Sequence, residues 1–338
     1  MNSITGNMKH IKYFLIMIAL VLLAACSQDT AEEQPVVLEQ DASLRISRVL
    51  RALSGDPEYG DIRIFVTHGT TATEGLIEYE GEDAWTTHLK LKSGTRTYNL
   101  YGFMPDDEVF APSISGVTDN SAVLHIQQMP PIATQDYCIV AGVRQAVDES
   151  DKTPAVRGAF SFDYDSRREN YINLLVDHLY SHLIFNMKVG EDYNAVRTIK
   201  IKRMKLLVTD ISSYNVDVTL TKGVGISSVA HNSTAGTGTH EMTIRDEELT
   251  LTTTSTTVCS GYVIPATTLF DKLSLEIVYD IYDKKGNKIS PERTATNNLA
   301  YPLEDLERGE ERTLLVTIDP SYLYDLSQQD PPFVVIKN

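Results

Sequence analysis

The sequence predicts an all-β chain built from β-sandwiches. Apolar and polar residues alternate with a period of two in many short segments; in Tyr214–Leu220, for example, Val216, Val218 and Leu220 share one face. Turn-forming Gly, Pro, Asn and Asp separate these segments, and no window carries an apolar stripe at helical spacing. Many short strands joined by frequent turns are typical of β-sandwich domains.

The alternation assigns strands along most of the chain. The predicted strands are Asp61–Thr67, Trp85–Leu91, Thr97–Phe103, Ala122–Gln128, Tyr137–Arg144, Leu179–Val189, Thr198–Leu207, Tyr214–Leu220, Leu273–Ile281 and Thr313–Ile318. Lys284–Lys288 supplies a hairpin turn after one of them. The run Thr252–Thr257 also favours extended structure, because β-branched side chains lose rotamer freedom in helices.

Residues 1–25 are predicted to be a lipoprotein signal peptide. Lys9 and Lys12 precede the apolar run Tyr13–Ala25, which ends in small residues directly before Cys26. This run is too short to cross a bilayer of roughly 30 Å as a helix, which favours cleavage over a permanent span. Cys26 then begins the mature chain and carries the lipid. A buried core helix and an uncleaved anchor are the alternatives.

The mature chain is acidic. Removal of residues 1–25 changes the formal net charge from −16 to −18, because two lysines and no acidic residue are lost. No basic stripe offers a footprint for phosphates, so nucleic acid is not an expected partner. The polar, acidic residues 26–41 are interpreted as a tether. The remainder suits two domains, 42–168 and 169–338, with the boundary in the charged, turn-prone segment Asp163–Asn170.

Scattered stretches of the chain resemble the fimbrillin family of Bacteroidetes, the subunits of type V pili. They are the cysteine motif at Cys26, the pair Ala42–Leu53 and Asp61–Val66, and the closing Leu314–Tyr324; Asp177–Val189 is also similar to the first strand of the family's second domain. The resemblance implies two tandem transthyretin-like β-sandwich domains. It also implies anchoring in the outer membrane through lipid on Cys26, exposure at the cell surface, a pilus after maturation, and adhesion as the biological role.

In this family a lipidated precursor is cut after an arginine, which releases an N-terminal strand. A strand from another pilin subunit then fills the vacant groove. Carried over to this chain, the resemblance makes 42–51 the removable strand, with an Arg-specific protease and other pilin subunits as partners. The receptor is not identified by the sequence.

The removable strand has an apolar face. Leu44, Ile46 and Leu50 lie at alternate positions, so the segment could bury three apolar side chains while its backbone pairs with a neighbour. Arg48 falls on the same face, which weakens the pattern. An ordinary edge strand, or an anchoring subunit that is never cut, would look similar.

Arg51 is the preferred cleavage site. It lies between the predicted strand and the Ser54–Pro57 turn, where a protease could reach the chain. Arg48 and Arg45 are the alternatives.

The C-terminus offers a candidate donor strand made of Phe333, Val334, Val335 and Ile336. It follows the stiff pair Pro331-Pro332, which suits a segment that reaches into a neighbouring subunit. Pairing of this segment within its own domain is the equal alternative, and the chain would then sit at a pilus end.

No cofactor and no metal are predicted from the histidines. On one strand, His178 and His182 would lie roughly 13 Å apart, too far to share a metal. His231 and His240 are assigned to a solvated Ser/Thr/Gly-rich loop, and Gly236–Gly238 lacks the setting of a phosphate cradle.

Other polar groups are interpreted as structural. The acidic groups Asp106–Glu108 and Asp148–Asp151 are assigned to hydrated turns, with calcium as the alternative. Cys138 and Cys259 lie in apolar strand contexts that favour two buried thiols, with a disulfide as the alternative. No nucleophile motif appears, so the chain is not expected to be an enzyme.

A surface glycan-binding lipoprotein is the competing function. It would share the signal peptide, the acidic tether and the sandwiches. Glycan-binding modules display aromatic platforms, and Trp85 is the only tryptophan, although the 17 tyrosines could substitute.

Overall fold

The computed structural model describes residues 44–51, 60–82, 84–318 and 334–337. Every described residue belongs to a single compact unit within residues 42–338. The predicted signal peptide, Cys26 and the tether therefore lie outside the described residues. Among the helices in the described part of the chain, none has the length and apolar character needed to cross a membrane.

The described residues confirm the predicted all-β class. The first ten strands are β1 (Leu44–Arg51), β2 (Ile62–His68), β3 (Thr71–Gly81), β4 (Ala84–Thr87), β5 (Thr95–Met104), β6 (Ser113–Ser115), β7 (Ser121–Met129), β8 (Ile132–Ala133), β9 (Cys138–Ala146) and β10 (Ser161–Asp165). They are followed by β11 (Asn170–His178), β12 (Ser181–Val189), β13 (Arg197–Thr221), β14 (Gly225–Arg245), β15 (Leu249–Thr250), β16 (Thr256–Val263), β17 (Leu273–Asp283), β18 (Arg293–Asn298), β19 (Glu311–Ile318) and β20 (Val334–Lys337). The described helices are short: α1 (Glu191–Val196), α2 (Thr267–Phe270), α3 (Ala300–Leu303) and a 3₁₀ turn at Glu108–Phe110.

The first sheet contains eight strands in the spatial order β10-β5-β2-β3-β4-β1-β11-β9. Its last strand, β9, also pairs with β5, where Ile139 lies opposite Phe103, so the sheet curls back on itself. It surrounds the smaller of two hydrophobic cores, to which β1 contributes Leu44, Ile46 and Val49. The N-terminal strand of the described chain is thus part of a core.

The second and third sheets share the larger core, an arrangement that resembles a β-sandwich. The second sheet has the order β20-β19-β12-β16-β8, and the third has β18-β17-β13-β7-β6 with β14 and β15 also on β13. Alternation sets these faces: in β12, buried and half-buried residues alternate from Ser181 to Val189. Buried side chains of both sheets belong to one cluster.

Sheet membership does not follow the predicted boundary at residue 168. β11 pairs with β9 and β1 in the first sheet, whereas the next strand, β12, pairs with β16 and β19 in the second. Asp177–Val189 is therefore two strands and not one. Leu179 and Tyr180, at the change of sheet, are both 1% exposed, so the apolar pattern continues where the strand is interrupted. The earlier strands β6, β7 and β8 also belong to the second and third sheets, so the sheets do not divide the chain at a single residue, and the two-domain assignment stays a prediction.

Candidate functional site

The candidate site is β1 and the strands that hold it. β1 runs parallel to β11 from the pair Leu44–Asn170 to the pair Arg51–Val176. On its other side it pairs with β4 at one position only, Ile46 opposite Trp85. Most of the backbone hydrogen bonding of β1 is therefore directed to a single partner strand.

A β-bulge decides which side chains of β1 face the core. The register shifts between Ile46 and Arg48, and a bulge reverses the alternation that follows it. Val49 is therefore buried, with 4% of its surface exposed. The sequence pattern predicted that Leu50 would be buried instead, but Leu50 is half-buried. The same shift leaves Arg48 half-buried, and this removes the conflict between its charge and the apolar face.

A loop at 147–153, here called the clasp loop, fastens the polar face of β1. The hydroxyl of Ser47 donates to the carbonyl of Asp148 at 3.3 Å, and Lys152 Nζ donates to the carbonyl of Ser47 at 2.5 Å. Arg48 Nη1 donates to the Lys152 carbonyl at 2.8 Å. From β11, the buried amide of Asn173 donates to the carbonyls of Asp151 and Thr153, which ties the clasp loop to the same strand that pairs with β1.

Two acidic residues of the clasp loop, Asp148 and Asp151, are engaged by the protein itself. Asp151 accepts from Arg144 at 2.9 Å and from the backbone N–H groups of Val147 and Thr153 at 3.1 Å. Asp148 accepts from both the N–H and the hydroxyl of Ser150, and these hydrogen bonds lower its pKa. The pKa of Asp151 is lowered by the hydrogen bonds from Thr153 and then by Arg144. These carboxylates shape a loop that holds β1.

In the acidic group Asp106–Glu108, Asp106 and Asp107 also form hydrogen bonds within the protein. Both carboxylate oxygens of Asp106 accept from the guanidinium of Arg63, at 2.9 and 2.8 Å. Asp107 accepts from the N–H of Val109 and caps the 3₁₀ turn. Their role in the described structure is a turn with an ion pair.

The three candidate cleavage sites differ in their surroundings. Arg45 and Arg48 lie inside β1 with their backbone opposite β11, and Arg45 also forms an ion pair with Glu169 at 3.0 Å. Arg51 is the last residue of β1. Proteases cut exposed, unpaired chain, so pairing on both sides disfavours Arg45 and Arg48, whereas Arg51 is paired only up to its own position, opposite Val176. Cleavage after Arg51 stays a prediction; residues 52–59 lie outside the described residues.

Trp85 lies against β1 and is not available as a glycan platform. It is 5% exposed, and its ring is 5.2 Å from that of Tyr79. As the only tryptophan, it makes the intrinsic fluorescence of the chain a local probe of β1.

Replacement of Ile46 by Ala should therefore be visible at Trp85. We expect Ile46→Ala to lower the free energy of unfolding by about 2–3 kcal/mol, because it leaves a cavity beside the ring. Water reaches the indole more easily, so tryptophan emission should shift to longer wavelength in native buffer. Val147→Ala, at a residue 85% exposed, is the control and should change neither quantity. Unchanged emission in Ile46→Ala would contradict the placement of β1 beside Trp85.

The C-terminal strand pairs within its own chain. β20 runs antiparallel to β19 at the edge of the second sheet, with Val335 opposite Val316 and Ile336 opposite Leu315. Of the candidate donor residues, Val334, Val335 and Ile336 thus have a partner strand here, which is the second of the two predicted alternatives. Phe333 lies outside the described residues.

The histidines are separated by the fold. His182 stacks on Tyr262, with ring centroids 4.7 Å apart, whereas His178 approaches Asp136 and Cys138. The assignment of His231 and His240 to a loop is wrong, because both lie on β14, which is paired with β13. The sequence analysis missed β14 because most of its residues are small or polar and few carry large apolar side chains.

The two thiols do not form a disulfide; Cys138 is buried and Cys259 is half-buried. Cys259 approaches the sulfur of Met204 at 3.7 Å, and burial raises its pKa to about 12. Sequence reasoning missed the neighbours of Cys138, because His178 reaches it from another strand, β11, and Asp136 lies in the segment that precedes β9. The i, i+2 spacing of Asp136 and Cys138 was the available signal.

Comparison with solved structures finds fimbrial and cell adhesion proteins from Bacteroides and Porphyromonas. A fimbrial protein from Bacteroides vulgatus ATCC 8482 has a TM-score of 0.50 and 12% sequence identity, over 88% of this chain and 98% of that one. A candidate cell adhesion protein from Bacteroides uniformis ATCC 8492 has a TM-score of 0.42 and 12% identity, over 88% and 96%. The fimbrial anchor protein Mfa2 from Porphyromonas gingivalis has a TM-score of 0.29 and 10% identity, over 87% and 95%.

These three structural similarities do not support the same conclusions. The first shows a shared fold, and at 12% identity it shows the fold alone; the other two carry no argument. No protein-family model and no curated protein sequence matches the chain. The chain therefore shares the fold of a Bacteroides fimbrial protein, which is the fold that its resemblance to the fimbrillins predicts.

Proposed function

We propose that the chain is a structural subunit, stalk or tip, of a type V pilus that serves adhesion at the cell surface. It is made as a precursor lipidated on Cys26 and anchored to the outer membrane. An Arg-specific protease cuts it after Arg51, and strand exchange with other pilin subunits then polymerises it. Its role is structural and not catalytic. The fold shared with a Bacteroides fimbrial protein supports this proposal.

One observation carries the proposal: β1 comes first among the described strands and yet lies inside a sheet, between β11 and β4. A cut after Arg51 separates β1 covalently from everything that follows. Noncovalent contacts alone then hold it in place: the backbone pairs with β11, three buried apolar side chains and the clasp loop.

The loss of β1 leaves a slot that is costly to expose. Full burial of Leu44, Ile46 and Val49 contributes about 5–9 kcal/mol, at about 1.5–3 kcal/mol for each side chain. This is comparable to the whole stability of a typical domain, about 5–15 kcal/mol. The vacated slot also presents the unpaired N–H and C=O groups of β11. Both terms favour capture of an extended segment from another subunit.

The donor in this scheme is the C-terminal segment 333–336. In its own chain β20 is an edge strand with four residue pairs to β19 alone, so its release breaks few backbone hydrogen bonds. The proline pair at 331–332 precedes it. If the segment stays on β19 in the assembled state, the chain instead occupies an end of the pilus.

Controlled proteolysis tests the proposal. The full chain carrying Cys26→Ser, which prevents lipidation, is treated with an Arg-specific protease and followed by native electrophoresis and mass spectrometry. We expect cleavage after Arg51, release of the N-terminal fragment and a ladder of oligomers. Arg51→Ala is the matched control and should stay uncut at this position and monomeric.

Two results would count against the proposal. Oligomers in the Arg51→Ala chain would mean that this cut is not the trigger. A trimmed chain that remains monomeric and binds polysaccharide would favour the glycan-binding lipoprotein.

A further inference from the structure

Three side chains of metal-binding type meet beside the junction of β9 and β11. Cys138 is the first residue of β9 and lies opposite His178, the last residue of β11. Asp136 precedes Cys138 by two residues. The three residues are 4%, 1% and 7% exposed, in the order Asp136, Cys138 and His178.

Their polar atoms converge on one point. The thiol of Cys138 donates to Asp136 Oδ2 at 3.3 Å, and Nδ1 of His178 contacts the same oxygen. One ligand atom from each residue lies within 4.8 Å of the other two. Nε2 of His178 is buried and has no hydrogen-bond partner among the described residues. Nδ1 is the ring nitrogen that faces the other two ligand atoms, so Nδ1 is the atom that would bind a metal there.

We propose that Asp136, Cys138 and His178 bind one divalent transition metal of the zinc class. Thiolate, imidazole and carboxylate are the ligand types that Zn²⁺ takes in proteins. Bond lengths of about 2.0–2.3 Å place the ligands of a tetrahedral ion roughly 3.3–3.8 Å apart. The cluster already has this scale, and the side chains of Asp136 and His178 would separate slightly as the ion enters. A water molecule completes the fourth position.

The local charges suit this ion. Carboxylate and thiolate together balance a divalent cation, which offsets the cost of burying each charge alone. Arg308 donates to the carbonyl of His178 at 2.8 Å and interacts electrostatically with Cys138. The positive charge of Arg308 is offset by Asp177, which also accepts from Arg157 at 2.8 Å.

A metal at this site would stabilise the fold, and this effect does not depend on the proposed function. A metal there links the start of β9 to the end of β11, the strand on which β1 rests. Coordination also protects Cys138 from oxidation, because the bound thiolate is no longer a free nucleophile.

Cobalt spectroscopy tests the site directly. The full chain with Cys26→Ser retains two cysteines, Cys138 and Cys259. Titration with Co²⁺ should give thiolate-to-cobalt charge-transfer absorption in the near ultraviolet and visible bands of a tetrahedral ion, saturating at one ion per chain. Excess Zn²⁺ should remove these bands and raise the thermal midpoint of unfolding.

Single substitutions locate the ion. Cys138→Ser should abolish the charge-transfer band, and His178→Ala should weaken Co²⁺ binding by more than about tenfold. Cys259→Ser is the matched control and should keep the band. Absence of the band in the Cys26→Ser chain would overturn the proposal. That chain keeps all three proposed ligands, so misfolding caused by loss of a ligand could not explain the result. A band that survives Cys138→Ser, or that is lost in Cys259→Ser, would overturn it as well.

Discussion

A precursor carrying Leu44→Asp should oligomerise without any protease. Leu44 is 1% exposed and belongs to the smaller core, so the substitution places a carboxylate among apolar side chains. An uncompensated buried charge costs about 3–5 kcal/mol, a large part of what holds β1 in place. Detachment of β1 relieves this cost, and the rest of the core remains. The slot beside β11 is then open to a segment of another molecule, as it is after cleavage.

The measurement is size-exclusion chromatography with light scattering at several protein concentrations. Arg45→Ser, one residue away on the exposed face, removes only a surface ion pair worth about 0–1 kcal/mol and should stay monomeric. A synthetic peptide with the sequence of residues 42–51 should suppress the oligomers of Leu44→Asp, because it refills the slot. Oligomers that the peptide leaves unchanged would indicate general unfolding, and a stable monomer would remove β1 from the mechanism.

The sequence predicted strand positions best where one face of the strand is buried and the other is exposed to solvent. The strand predicted at Thr313–Ile318 corresponds to β19, and Leu273–Ile281 corresponds to β17, because apolar alternation matches the pleat in both. Alternation failed to show where strands join or stop. The predicted strands Thr198–Leu207 and Tyr214–Leu220 are one long strand, β13, and Trp85–Leu91 ends early as β4 at Thr87.

The candidate site shows the same limit at the scale of single residues. The sequence identified β1 and its buried Leu44 and Ile46, which alternate regularly. It placed Leu50 in the core instead of Val49, because a bulge adds one residue to the strand and leaves no mark in the apolar pattern. The clasp loop was equally hidden: its bonds to Ser47 join residues about one hundred positions apart, and such contacts follow from the register of β1 on β11.

The second large effect is expected at a glycine where two turns meet. Gly158 has a φ of +80°, and a Cβ placed there would lie 2.4 Å from the nitrogen of Val224 and 2.6 Å from the carbonyl carbon of Gly223. Its carbonyl accepts from the N–H of Gly223 at 2.9 Å, and its own N–H donates to the carbonyl of Ala141 at 2.8 Å. Gly158 thus joins β9 of the first sheet to the turn between β13 and β14.

Gly158→Ala should therefore destabilise the chain for two separable reasons. The left-handed backbone costs an alanine about 1–2 kcal/mol, and displacement of the opposing backbone adds about 3 kcal/mol, because backbone atoms have little freedom to retreat. Gly223→Ala is the matched control: it has the same φ of +80°, but its Cβ meets nothing within 4 Å. Urea denaturation should show a loss of about 4–5 kcal/mol for Gly158→Ala and about 1–2 kcal/mol for Gly223→Ala. Equal losses in the two variants would show that the turns do not meet this closely, since the difference between them isolates the contact.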